Sequence, residues 1–508
     1  MQAKSGRVLG LGLSWWVAAC AASPVPSAGP SAAPSAVRAP TPSAAASTSI
    51  QSPSRALPPD SEVQQILAER IGEAAQQYGI VVGLVDAGGR RVVSRGGFDR
   101  GEPRALDGDT LFELGSITKV FTALLLQLAV ERGEMGLDDP IGKHLPAGTK
   151  TPSFDGHPIT LRHLATHTSG LPRVPTNLKS KQANDPYADY TVEDLYEFLG
   201  SVQLTREPGS EYEYSNLGAA VLARVLIVRT GKSYAELVRE RITEPLGMAH
   251  TWVDLPAEEK LQLATGHTQG LMAAPLRTRI AMIGNGGVFA SASDLLTFLS
   301  ASMGLVQTPL AHAFEQLAAP QRPLNDRGDA IGLGWHIQKA EGGNVVWHNG
   351  GTAGFSTYAA YVREQGTGVV VLSNVSTPDG VDDIGEHLIA QGPLQPAGAP
   401  GVTPRPRASV AVAAQRLDGY VGDYQVANGL RVALRRQGDQ LWATVKDRTF
   451  PLFAESETVF FLDMVDLTFR FETDAQGKAA TMFLGQGGKE VRMPRVQAPA
   501  AVDARQER

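Results

Sequence analysis

A chain of 508 residues with a single cysteine, Cys20, can close no intramolecular disulfide and can build no multi-thiolate zinc site. A large excess of one charge is also missing. The formal net charge is −6 and no basic run occurs, so the chain offers no nucleic-acid surface. Beyond the N-terminus no apolar stretch is long enough for a transmembrane helix. Gly-x-Ser-x-Gly occurs nowhere, which argues against an α/β-hydrolase. Gly284-Asn285-Gly286-Gly287 does not follow a phosphate-binding strand pattern and reads as a tight loop. His163 and His167 have a spacing that can bind zinc on a helix. No acidic residue lies between them and no third ligand is evident, so they read as packing and capping residues. No metal and no cofactor is expected.

What is present begins with an export signal at residues 1–19. Lys4 and Arg7 precede an apolar run from Val8 to Ala19. At about twelve residues that run is too short to span a bilayer. Val17-Ala18-Ala19-Cys20 resembles the lipobox of bacterial lipoproteins, in which cleavage leaves a lipidated cysteine as the first residue. Cys20 is therefore the expected lipidation site, and more than one acyl chain suffices for stable anchoring. The expected location is the bacterial cell envelope, on the periplasmic side and membrane-held. Ala21 after the cysteine leans towards the outer membrane, by resemblance to enterobacterial sorting.

The length implies two or more domains. Residues 20–60, rich in Ala, Pro and Ser, form a disordered tether that cannot bury apolar area. A folded domain is expected over residues 61–392. Ser61 and Gln64 make a capping-box pattern, and Val63, Ile66, Leu67 and Ile71 recur at helical spacing. A hairpin follows, Ile80 to Val85 and Arg91 to Ser94 around Gly88-Gly89, then an apolar helix from Phe112 to Arg132 stopped at Gly133. Further helices are expected at Thr160 to Thr166, Thr191 to Leu199, Leu217 to Arg229, Tyr234 to Ile242 and Ile384 to Ala390. Strands are expected at Gly332 to Gln338, Asn344 to Trp347, Ser356 to Arg363 and Gly368 to Ser373. Strands at both ends with helices between imply an α+β fold: one sheet built from the two termini, plus a helical subdomain. After a linker at 393–413, residues 414–496 turn to period two, as in Leu430, Val432 and Leu434 or Leu467, Phe469 and Phe471. That pattern describes a small all-β barrel or sandwich. Residues 497–508 form a polar tail.

Ser116 and Lys119 lie one helical turn apart at the start of the apolar helix, on one face. A serine hydroxyl needs a neighbouring base to become a nucleophile, and an amine one turn away can accept its proton or tune another base. Alone, such a pair is weak evidence. Tyr214-Ser215-Asn216 stands just before a helix, and His348-Asn349-Gly350-Gly351 follows a strand near the end of the domain.

Ser-x-x-Lys, Tyr-x-Asn and His-x-Gly, in that order, resemble the three motifs of penicillin-recognising serine enzymes. The octad Phe112 to Lys119 resembles the signature of class C β-lactamases and related D-alanyl-D-alanine peptidases, with Thr118 where a smaller residue is usual. The likeness extends through Leu137 to Pro140, Thr160 to Pro172, Glu244 to Met248, Gly286-Gly287, Ser291 to Leu296 and Gly332 to Trp335. It implies a β-lactamase/transpeptidase-like fold and an acyl-enzyme at Ser116. Lys119 and Tyr214 would act together as base and then acid. An ammonium about 4 Å from the phenol would bring phenolate within reach of neutral pH. Asn216 would hold the substrate amide and position Lys119, and the backbone N–H groups of Ser116 and Gly351 would form the oxyanion hole. His348, Asn349 and Gly350 would bind substrate. Where relatives carry Lys-Thr-Gly, this chain has His348-Asn349-Gly350. A permanent cation is missing, which implies weaker recognition of free carboxylates and a steeper pH dependence.

Of four tyrosines near the expected cleft, only Tyr214 has motif support; Tyr190, Tyr196 and Tyr212 read as packing or rim residues. Leu417 to Tyr424 resembles the start of the small lipocalin-like domain appended to many such hydrolases, with a capping role or a ligand- or polymer-binding one. The expected partner is a small-molecule or cell-wall peptide substrate. Three functions stay open: a hydrolase of β-lactams or D-Ala-containing cell-wall peptides, an esterase or amidase, and a penicillin-binding sensor that stays acylated. Substrate choice rests on the loops around Leu178 to Tyr190 and Leu271 to Arg279.

Overall fold

The computed structural model describes residues 56–496, apart from 73–77, 103, 179–184, 186, 277–279, 400, 405–406, 408, 427–428, 446–447, 463–466 and 487–488. The expected signal, Cys20, nearly all of the tether, the tail and parts of both substrate loops lie outside the described residues.

The two ends of the first domain do meet in one sheet. Gly79–Asp86 pairs antiparallel with Thr367–Ser373, from Ile80 opposite Ser373 to Val85 opposite Gly368. The full order is Gly89–Gly96, Gly79–Asp86, Thr367–Ser373, Ser356–Val362, Gly343–Gly351, His336–Ala340, Ala330–Ile331 and Arg322–Pro323. Every residue of Ser356–Val362 and of Thr367–Ser373 is buried, the mark of strands covered on both faces. Alternation sorts the side chains into two layers. Ile80, Val82, Leu84, Val369 and Val371 pack with Val63 and Leu67 of helix Asp60–Ile71 and with Ile384 and Leu388 of helix Asp382–Ala390. Val81, Val85, Val370 and Leu372 share the opposite core with Leu295, Leu296 and Leu299 of helix Ala292–Met303. That larger core also holds helix Thr118–Glu131, buried all round from Thr118 to Ala129, as expected of a helix without a polar face.

Several local expectations need correction. Phe112 and Glu113 belong to a short strand, Leu111–Glu113, paired with Phe289–Ser291; the helix proper starts at Thr118, after a 3-10 turn at Gly115–Ile117. A short apolar run fits either element, and here a long-range partner decides. The hairpin turns one residue earlier than expected, with Asp86 opposite Gly89. Helix Asp60–Ile71 starts after Pro59 with no side-chain cap, so Ser61 and Gln64 form no capping box. Gly332 to Trp335 precede their strand instead of joining it. Tyr234 to Ile242 divides into helix Tyr234–Val238 and a π turn at Arg239–Thr243.

The period-two region closes into a barrel of eight strands, from Gly422–Gln425 to Lys489–Val496, rather than a sandwich. Closure comes from Asp423 opposite Val496 and Tyr424 opposite Arg495. Tyr420, Tyr424, Phe460, Phe469, Phe471, Met482 and Met493 fill its core.

Candidate active site

Glycine sets the position of Ser116. Gly115 has φ +55, and a Cβ there would lie 2.8 Å from the Gly351 nitrogen. A Cβ on Gly350 would fall 2.1 Å from the Leu114 carbonyl oxygen. Only glycine at both places lets the nucleophile turn press against the end of strand Gly343–Gly351. Thr357 secures the junction by donating from Oγ1 to the Leu114 carbonyl at 2.9 Å. Ser116 thus sits at the amino end of helix Thr118–Glu131, where partial positive charge favours a developing anion.

Lys119 is buried, and its Nζ lies 2.8 Å from Ser116 Oγ. It also donates to the Asn285 carbonyl at 2.8 Å. The Gly284–Gly287 loop therefore has a task that its sequence does not disclose. Its neighbour Val288 donates through its N–H to Thr118 Oγ1 at 3.2 Å, a role for the threonine at that unusual place.

Tyr214 stands beside this pair. Its ring centre is 4.9 Å from Lys119 Nζ and 5.0 Å from the Arg173 guanidinium carbon. The protein packed around its hydroxyl pushes the phenol up to about 12, against the opposing effects of Ser116 and Arg173. Burial outweighs the neighbouring charge, so Tyr214 is a neutral phenol at pH 7 and the expected phenolate is not its resting state. Asn216 opens helix Asn216–Thr230 next to Arg173, whose carbonyl accepts the Asn216 N–H at 2.9 Å. Its Oδ1 is buried and accepts no hydrogen bond at rest, from Lys119 or any other group among the described residues.

Three histidines complete the cluster, although the sequence pointed to one. The His167 ring stacks on Tyr214 with centroids 4.4 Å apart, and His336 and His348 lie 5.2 Å from each other. His167 Nδ1 accepts the Ser215 backbone N–H at 3.2 Å, which puts the ring proton on Nε2. His348 Nδ1 donates to the Asn349 carbonyl at 2.6 Å, which leaves Nε2 as a bare acceptor. His336 pairs through Nε2 with the Tyr212 hydroxyl at 2.9 Å, so Tyr212 belongs to the site rather than its rim. His167 Nε2, His336 Nδ1 and His348 Nε2 are all buried without partners. Burial, with Lys119 close by, holds His336 down to about 4 and His167 and His348 well below the usual histidine range.

The third motif differs from expectation in two ways. His348 is fully buried and stays neutral across physiological pH, so the steeper pH dependence expected from its titration disappears. Asn349 alternates to the other face of the strand and donates its side-chain amide to Asp382 on helix Asp382–Ala390, so it presents no side chain to substrate. Gly350 and Gly351 stay beside the nucleophile turn. Strand Gly343–Gly351 pairs with His336–Ala340 only as far as Trp347, yet pairs with Ser356–Val362 out to Gly351. Its last residues thus offer one backbone edge to the cleft. His163, the other residue weighed as a zinc ligand, accepts the Thr160 N–H in a capping box, and among the described residues no cluster is placed to hold a metal ion.

Comparisons with known proteins follow the same division of the chain. Residues 63–393 match the family described as Beta-lactamase, and residues 406–495 match a domain of unknown function, DUF3471. The chain is 29% identical over 355 residues to the D-alanyl-D-alanine-carboxypeptidase/endopeptidase AmpH of Escherichia coli K12, covering 66% of this chain and 91% of that protein. With Penicillin-binding protein 4* of Bacillus subtilis it shares 28% identity over 454 residues, 84% of this chain and 96% of the relative. Among solved structures, a beta-lactamase/D-alanine carboxypeptidase from Yersinia pestis with citrate superposes with TM-score 0.54 at 28% identity, over 62% of this chain and 93% of that one.

Proposed function

Since this chain belongs to the beta-lactamase family, we propose that it is a serine acyl hydrolase that forms an acyl-enzyme at Ser116 and acts on D-Ala-containing cell-wall peptides or on β-lactams. One observation carries this reading: a buried amine 2.8 Å from a serine hydroxyl at a helix amino end, with Tyr214 beside both. In the proposed cycle Lys119 first loses its ammonium proton to solvent and then, as the free amine, takes the Ser116 proton while Oγ attacks the carbonyl. Tyr214, held as a phenol, gives a proton to the leaving group. Water then releases the acyl group by the reverse transfers. The N–H groups of Ser116 and Gly351 stabilise the oxyanion, each worth about 3 kcal/mol in such a hole. The Asn216 amide and the free strand edge from His348 to Gly351 align the substrate chain.

A second reading is favoured by the neutral, buried His348: an esterase or amidase whose substrates carry no free carboxylate. A chromogenic cephalosporin, a fluorescent penicillin and a p-nitrophenyl ester, each with the wild type and Ser116→Ala, separate these outcomes. Ser116-dependent cephalosporin turnover makes it a β-lactamase. Stable labelling by the penicillin marks a cell-wall peptidase or a sensor, and ester hydrolysis alone marks the second reading. Turnover that survives in Ser116→Ala contradicts all of them.

The lipobox-like residues motivate a proposed location as well: periplasmic, held to the outer membrane through Cys20. Cys20→Ala should move the protein from the membrane fraction to the soluble one; unchanged fractionation contradicts the anchor.

A further inference from the structure

The cation that the third motif lacks has a candidate replacement elsewhere in the cleft. Lys119 is engaged by Ser116 and the Asn285 carbonyl. His348 is neutral, and Asn349 is turned to Asp382. Arg173 is half-buried, and its guanidinium carbon lies 5.0 Å from the Tyr214 ring centre. Among the described residues no acidic side chain pairs with it. Its backbone is held firmly. The Arg173 carbonyl accepts the N–H groups of Asn216 and Leu217 at 2.9 and 3.2 Å, and Ser215 Oγ donates to the Pro172 carbonyl at 2.8 Å. The second motif thereby fixes the backbone of this arginine beside Tyr214 and Asn216. Its charge also reaches Tyr212 and His167. A guanidinium left without a counter-ion beside Tyr214 is suited to a planar, bidentate anion supplied by the substrate.

We infer that Arg173 is the specificity-determining residue that receives a carboxylate of the acyl substrate, in place of the cation missing from the His348 position. The inference rests on the Ser116 acyl-hydrolase reading and deepens it, because it assigns the site to acidic acyl compounds such as peptides ending in a free carboxylate. No bond is made or broken at Arg173; it binds.

The test uses two thioesters with the same N-acyl-D-alanyl group, one leaving as thioglycolate and the other as thioglycolamide. Wild type should prefer the thioglycolate. Arg173→Gln should lose roughly ten- to hundredfold more kcat/KM on the thioglycolate than on the thioglycolamide, mainly through KM, as expected for a lost charge-assisted hydrogen bond. Arg173→Lys should keep part of the preference. Equal losses on both thioesters would overturn the inference and leave Arg173 as a support for Tyr214. A wild type that does not distinguish the pair would overturn it too. Hydrolysis of neither thioester, or hydrolysis that survives Ser116→Ala, would instead contradict the acyl-hydrolase reading underneath.

Discussion

The two folded regions differ in how they treat the polar groups at their centres. Inside the barrel, the Tyr420 hydroxyl donates to the Glu457 carbonyl at 2.7 Å and the Tyr424 hydroxyl to the Tyr420 carbonyl at 2.9 Å. Phe471 stacks on Tyr420 with centroids 4.4 Å apart, and the arginines outside pair with acids, as Arg435 does with Asp423 and Arg470 with Glu490. Around Ser116, by contrast, His167, Asn216, His336 and His348 each keep a buried polar atom without a partner. Such groups cost free energy unless something pairs with them. Among the described residues of the barrel domain Arg416 Nε and Trp442 Nε1 are also buried without a partner, but the core tyrosines are satisfied, and the barrel is organised for packing. A cluster that leaves them open is organised for a ligand.

Breaking the polar cluster should affect chemistry before stability. Lys119→Ala and Tyr214→Phe should each lower kcat by about a hundred- to ten-thousandfold, the range of a lost general acid or base, while far-ultraviolet circular dichroism stays native. A loss under tenfold for both would remove them from the proton path. Breaking the apolar core should do the reverse. Phe471 is 3% exposed. Phe471→Ala should cost the barrel about 3–5 kcal/mol, seen as an earlier thermal transition, without slowing Ser116 acylation. A matching loss of acylation rate would couple the two regions and dissolve the contrast.

Acid should act selectively on the first domain. The unfolded chain's histidines take protons near the ordinary value of about 6.5, whereas His336 resists until about 4. Below about 6.5 the unfolded state therefore binds a proton that folded His336 refuses, and the His336 contribution to stability falls as the pH drops towards 4, while Asp382, pushed up to about 8 by burial, acts the other way. Scanning calorimetry of the wild type and His336→Gln over that window should isolate the histidine's contribution to the catalytic-domain shift. The shift should shrink in His336→Gln, and equal shifts in both proteins would contradict it. Smallest of all should be the change in activity from pH 6.5 to 8 due to His348, which stays neutral throughout.

The chain's own pattern disclosed most of this architecture but only part of the site. Ser116 and Lys119 were legible because one helical turn joins them, and the β-rich end because its apolar residues alternate. Closure of the barrel was not, since Asp423 meets Val496 across the whole module. Neither was the strand at Phe112, whose apolar run suits a helix equally well until Phe289–Ser291 pairs with it. Arg173, Tyr212, Asn285 and His336 come from separate loops and a strand start, and no spacing connects them before the chain folds. The orientation of Asn349 follows from strand alternation, which shows once the strand is seen to run on to Gly351.

The most direct measurement is the intact mass of the protein, acid-quenched soon after mixing with benzylpenicillin, followed by peptide mapping. The account predicts one penicilloyl group on the peptide that carries Ser116, and none in Ser116→Ala. An adduct on another residue, or β-lactam or ester turnover at the wild-type rate in Ser116→Ala, would contradict it.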